Sequence, residues 1–530
     1  MKTESSRETA SVRQSGLPPV GWREIFAVLA LVVLCDITLY RGCGPAGHAV
    51  LVVLAPLLFL LGSPRPLFRA SLWLVSLMLA VLAARLLWCG FPLLLPVGLA
   101  LLVAWAMSLS GQVPHVLETL VFASQTVSAG YHGLIDQGRF LIRAVPRSTR
   151  THWLNVMLPL VTAVMFSLLF VLANPDLLAT FSQRVAELFD TLREWLIRFS
   201  PEPLEVVFWL AVLWLGVGLL RPRLDRPLLA EIVGDPRRSA SGQQPLRAAL
   251  YPAFRNMLVV VLVLFAVYLV FEFKTLWFRV FPKGFHYSGY AHEGAAWLTV
   301  ALALATAVLS LVFRGDVLHD ERLPRLKRLA WLWSLENMLL AIAVYHRLFI
   351  YIGFNGMTRM RIVGLYGMSA VVVGFLLVLR KIARHHDFVW LIRRHLWTVA
   401  IAVYLLAVTP VDMIVVRYDV RRILSGDPAP CVQLSVHPIR SEGVLLLLPL
   451  TECRNTTIRE GIRAMLAQRH EEAEHSALLR QQQGWTTYQI ADQLLLDQLR
   501  AASGRWAEYA DRTKRRDALQ QFHAYAYQWY

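Results

Sequence analysis

A chain of 530 residues, of which 56% are hydrophobic and only 17% charged, lies far from soluble proteins, where about a quarter of residues carry charge. That composition points to a membrane protein. The formal net charge of +17 raises the question of a nucleic-acid partner, but the excess is spread over short segments between apolar runs. From Arg417 onward 15 Lys and Arg stand against 13 Asp and Glu, so no clustered basic face is available to nucleic acid.

The segment Met1–Val20 is polar and lacks the apolar core and small-residue cleavage site of a secretory signal, so the first apolar run is expected to stay attached. Tyr40, Arg41 and Gly42 before Cys43 look superficially like a lipidation site, although Arg and Tyr suit it poorly. Runs near the 20 apolar residues that a span needs occur at 24–41, 46–62, 68–87, 90–109, 153–174, 203–220, 256–273, 292–313, 329–353, 362–379 and 395–415. They predict eleven spans in an all-α fold. With the N-terminus inside, the inner segments hold 27 Lys and Arg and the alternate loops far fewer, as cytoplasmic loops require. Arg359 and Arg361 sit on the wrong side of this rule, so either it is locally outvoted or those arginines have a partner.

The inner loops 110–152 and 221–255 are predicted to lie at the interface. Phe122–Ile142 is amphipathic and ends in spaced arginines, which suits anionic lipid headgroups or a solvated connector. The tail reads as helices. Thr457–Glu460 and Thr486–Gln489 have the form of capping boxes, and the run Val444–Leu450 before the first of them resembles one helix of an antiparallel pair.

Charged residues within spans are costly, and so informative. Glu336 and Arg347 share one stripe of the ninth span, about 16 Å apart at helical rise, so each needs a partner elsewhere. Asn337 and His346 flank them. Either a polar pathway or interhelical packing would explain the set. Asp36 in the first span reads first as a carboxylate reaching the surface and second as a proton-coupling group. An outer-face cluster gathers Glu272, Lys274, His286, Tyr290, His292 and Glu293 with Arg359 and Arg361, and could bind a headgroup or serve acid–base chemistry. Cys43, Cys89, Cys431 and Cys453 fall on the oxidising side of this topology, where disulfides persist. Cys431 with Cys453, and Cys43 with Cys89, are the candidate pairs. No nucleotide-binding loop, dinucleotide fingerprint, metal motif or cofactor motif is present.

Ala173-Asn174-Pro175-Asp176, Tyr287–Gly294, the stretch Tyr345–Tyr351 through Gly356–Arg361, and Val415–Arg421 together resemble a family of bacterial polytopic membrane proteins catalogued only as a domain of unknown function. The resemblance covers about 25–430 and implies topology but no established activity. Thr409-Pro410-Val411-Asp412 looks like a departed counterpart of the fifth-span motif. The expected organisation is a cytoplasmic segment 1–23, a helix bundle 24–415 and an extracytoplasmic helical tail domain 416–530 in the inner membrane. The expected partners are the lipid bilayer, anionic headgroups at the cytoplasmic loops and a candidate protein partner at the tail. Recognition or assembly is the first functional reading. A transporter with an intramembrane cavity and an enzyme acting on a lipid-linked substrate are the alternatives.

Overall fold

The computed structural model describes residues 19–42, 44–63, 69–144, 202–222, 250–274, 287–313, 320–384, 386 and 388–529, with positions 159, 160, 162, 163 and 165. Among them every regular element is helical. The bundle comprises α1 (Trp22–Cys35), α2 (Pro45–Gly62), α3 (Ala70–Cys89), α4 (Leu94–Leu109), α5 (Val116–Ala144), α6 (Pro203–Leu220), α7 (Tyr251–Glu272), α8 (Tyr287–Val312), α9 (Leu323–Asn355), α10 (Arg359–Arg384) and α11 (Phe388–Val408). Seven of the described helices are long and apolar enough to cross a membrane, and Leu94–Leu109 and Ala296–Val312 are shorter apolar helices. The expected span 153–174 lies outside the described residues except for isolated positions. The last expected span is displaced: α11 ends at Val408, and a new helix, α12 (Val411–Leu424), begins after Pro410. Proline has no N–H to continue the ladder and clashes with the preceding turn, so the break falls there.

The bundle packs as two halves. Val28, Leu51, Leu82, Leu86, Leu94 and Val217 centre the first, and Leu258, Leu309, Phe313, Trp333 and Phe375 centre the second. Helix α11 ties them together: the Tyr404 hydroxyl donates to the Met78 carbonyl at 3.0 Å, and the Trp397 indole donates to His115 Nδ1 at 2.9 Å. The amphipathic helix expected at 122–142 is present as α5, and its apolar side packs on α6. Gly218 makes this crossing close, since a Cβ there would lie 2.1 Å from the Thr126 carbonyl oxygen. At that end of the bundle Arg221 pairs with Glu24 at 2.7 Å, and Gln137 donates to the same carboxylate at 3.1 Å.

Beyond Pro410 the chain builds a helical layer on the opposite end. It contains α12, α13 (Cys431–Val436), α14 (Ser441–Val444), α15 (Thr456–Gln483), α16 (Ile490–Ala501) and α17 (Arg512–Tyr527), with short 3₁₀ turns at Leu448–Glu452, Trp485–Thr487 and Ser503–Ala510. It has its own apolar core, including Val416, Val432, Leu450, Ile458, Ile462, Leu499 and Phe522. Three local expectations are corrected. The run Val444–Leu450 is no full helix but a single α-turn followed by a 3₁₀ turn. Helix α15 is capped by Asn455, whose side chain accepts from Ile458 N at 3.1 Å, while Glu460 binds Arg459 and Tyr509. The Thr486–Gln489 pair caps nothing: the Thr486 hydroxyl donates to the Gly42 carbonyl at 2.6 Å, and Gln489 Oε1 accepts from Gly90 N at 2.9 Å. Those two residues dock the tail onto the bundle's loops.

Cys35, Cys89, Cys431 and Cys453 are free, buried thiols, so the Cys431–Cys453 bridge expected from spacing is not formed. Cys431 is fully enclosed in the tail core, and burial pushes its thiol up to about 12. Cys453 Sγ lies 3.3 Å from the Asn455 carbonyl. Cys43, and with it the second candidate pair, falls outside the described residues.

Candidate functional site at the bundle–tail junction

The 33 residues of α9 end in carbonyls that the helix alone leaves short of partners, with Gly356 N closing on the Ile352 carbonyl at 3.0 Å. Residues that follow in the chain satisfy them. Arg422 donates to the Ile352 and Gly353 carbonyls at 2.9 and 2.8 Å, and Gln433 donates to the Asn355 carbonyl at 2.9 Å. The chain then turns at Gly356, whose φ of +95° favours glycine. A Cβ there would also lie 2.5 Å from Asp419 Oδ1. Asp419 accepts from Met357 N at 2.7 Å and so fastens the turn to α12.

Two residues later α10 begins, and both of its misplaced arginines have partners. Arg359 forms a forked pair with Asp412 of α12, whose carboxylate also accepts from Arg440 N at 2.9 Å. Arg361 turns back on the α9 end, donating to the Gly356 carbonyl and to Asn355 Oδ1, with its guanidinium 3.8 Å from the Tyr351 ring centre. Arg361 therefore makes its direct hydrogen bonds to neutral acceptors, and its Nε has no hydrogen-bond partner among the described residues.

Around these groups lies a cavity of about 700 Å³, within the usual range for ligand sites. Its walls are Ala296 and Thr299 of α8, Leu348, Tyr351 and Asn355 of α9, the α10 face from Arg359 to Met368, and Asp412, Val415, Gln433, His437 and Ile439 from the tail side. Bundle and tail thus each supply part of the wall. Burial, with the positive fields of Arg359 and Arg361, holds the His437 imidazole below its usual range. Burial pushes the Asp419 carboxyl up to about 8, against the opposing pull of the Met357 N–H, Arg361 and Arg422.

A raised carboxyl binds its proton more tightly in the folded state than in the unfolded one, so its contribution to folding is complete at low pH and is lost as pH rises towards 8. The α9–α10 turn is therefore expected to loosen between about pH 4 and 8. Hydrogen exchange at the Met357 amide should accelerate over that range beyond the intrinsic pH effect, and Asp419→Asn should flatten the excess. An unchanged excess in the variant would discard Asp419 as its source.

The remaining candidates separate. Glu272, expected in the outer cluster, is instead the buried partner of Arg347: Arg347 Nε and Nη2 donate to its two oxygens at 2.6 and 2.5 Å, and the Tyr268 hydroxyl adds a bond at 3.0 Å. Glu336 stays apart from that pair, with Oε2 buried and without a hydrogen-bond partner among the described residues. Asn337 donates to the Trp333 carbonyl at 2.7 Å, and His346 is half-buried on the same helix. Asp36 accepts from the Trp209 indole at 2.8 Å and lies 3.2 Å from Arg41, which also binds Glu205. Lys274 is exposed, and Tyr290, His292 and Glu293 fall in the first turns of α8. The side chains of those three residues, and all of His286, lie outside the described residues. Among the described residues no group of three or more His, Cys, Asp or Glu is placed to hold a metal ion.

Sequence reasoning missed Arg85 and Glu442. Near the end of α3, Arg85 Nη1 and Nη2 donate to the two oxygens of Glu442 at 2.6 and 2.8 Å, and the Trp88 indole donates to the same carboxylate at 3.1 Å. Both charged side chains are at most 5% exposed. An arginine near the end of an apolar run was the available signal, and it needed a partner on another element.

Residues 48–436 match the family described as Domain of unknown function (DUF4153). The chain belongs to that family. Neither a curated protein nor a solved structure matches it. The match begins inside α2, leaving α1 before it, covers the rest of the bundle and reaches the cavity wall at α12 and α13, while Glu442 and the helices after it lie beyond the match. With its long apolar helices, membership in this family marks the chain as an integral membrane protein.

Proposed function

We propose that the protein is an eleven-span inner-membrane protein, with its N-terminus in the cytoplasm and its tail domain outside, that recognises a ligand in the junction cavity. The supporting observation is that bundle and tail jointly wall one cavity of about 700 Å³ around Arg359, Arg361 and His437. Positively charged inner loops support the orientation and give anionic headgroups a contact on the cytoplasmic face. The tail surface beyond the cavity is left for a protein partner. The transporter reading is weaker because Arg347 is bound by Glu272 and Asp36 by Arg41 and Trp209, which makes them packing elements in place of a pathway.

Cysteine labelling tests the orientation and the site together. In a Cys43→Ser background, His437→Cys should react with a membrane-impermeant maleimide in intact spheroplasts. Arg384→Cys, at the opposite end of α10, should react only after permeabilisation. The reverse pattern would overturn the topology, and an inert His437→Cys in native protein that reacts once denatured would overturn an accessible cavity.

A further inference from the structure

We infer that the junction cavity takes an amphipathic phosphate ester, with its anionic head against Arg361 and the start of α10 and its apolar chain lying between α8 and α10. This rests on the reading of the cavity as a recognition site. Arg361 is 4% exposed, and its hydrogen bonds go to neutral oxygens, whereas Arg359 is occupied by Asp412. The start of α10, 26 residues long, adds the partial positive charge of a helix N-terminus. A planar guanidinium beside the positive end of a helix suits a phosphate.

The rest of the cavity is apolar and runs along the span. From Arg359 to Met368 its wall follows α10 for about 13 Å at helical rise, a little under half of a hydrocarbon core about 30 Å thick. Two of the wall positions, Gly364 and Gly367, have no atom of the described residues within 4 Å of where a Cβ would stand. Gly367 and the facing Ala296 are exposed at a depth where the surroundings are lipid. The open side of the cavity therefore faces the bilayer, and an occupant with one charged end and one apolar chain satisfies both limbs.

The test uses the full-length protein in phosphatidylcholine nanodiscs doped with phosphatidylglycerol. Native mass spectrometry should show phosphatidylglycerol retained with about tenfold preference, and Gly367→Leu, which fills open space, should abolish that preference. Phosphatidylglycerol should also slow maleimide labelling of His437→Cys, while water-soluble glycerol phosphate at the same concentration should not. No headgroup preference, or one unchanged in Gly367→Leu, overturns the inference. Protection by glycerol phosphate equal to that by the lipid assigns a soluble ester and overturns the lipid chain. If Gly367→Leu alters the labelling of His437→Cys but neither phosphate ester does, the recognition cavity stands and the phosphate assignment falls.

Discussion

Glu442→Ala is expected to destabilise the docked tail by about 3–5 kcal/mol, the usual cost of leaving one partner of a buried ion pair without its counter-charge. The carboxylate accepts from two Arg85 nitrogens and from the Trp88 indole, and Arg85 Nε is already without a partner among the described residues. Removing Glu442 therefore strands a buried guanidinium without the carboxylate that neutralises it. A double change, Arg85→Met with Glu442→Leu, should recover most of the loss, because a buried pair is often matched by apolar residues of similar volume. Limited trypsin cleavage of the tail in proteoliposomes reads the effect: fast in the single variant, near wild type in the double. Wild-type protection in Glu442→Ala would show that the pair holds nothing together.

The second large effect lies inside the bundle. Arg347→Leu should take from the Glu272 carboxylate, which is fully buried, the two guanidinium donors that neutralise its charge. The expected cost is again about 3–5 kcal/mol. Phe349→Leu, two residues along on the exposed side of α9, should cost little. Equilibrium unfolding in mixed micelles compares the two, and equal tolerance would place Arg347 outside the packing of α7 on α9. Glu272→Gln with wild-type Arg347 separates charge from shape: it keeps a hydrogen-bond acceptor, so it should cost less than Arg347→Leu.

Most helices were legible because an apolar run of span length has few alternatives. Legibility failed where the deciding contact was remote. A Thr three residues before a Gln has the spacing of a helix cap, yet Thr486 donates to a carbonyl 444 positions away and Gln489 accepts from a backbone N–H 399 positions away. Nothing local distinguishes the two uses. The need of Arg347 for a partner was readable from its depth, but the partner was not, since Glu272 near the end of α7 also fits a solvated rim. Arg359 and Arg361 stood out by breaking the charge rule, which marked the cavity's location. Asp412, inside the last expected span and read only as part of a departed motif, and Asp419, just beyond that span, gave no sign that they tie that turn to α12.

The ion pair between Arg85 and Glu442 spans 357 positions of chain, and that separation is also an interval of time. At roughly 5–20 residues per second of synthesis, α3 is in place about 20–70 s before its counter-charge exists. During that interval the guanidinium lacks its carboxylate and turns to headgroups and water at the end of its helix. Docking is thus closed by a segment made well after α3, and any product that stops short of residue 442 carries Arg85 without this counter-charge. The same contact that docks the tail would then distinguish a finished molecule from a truncated one.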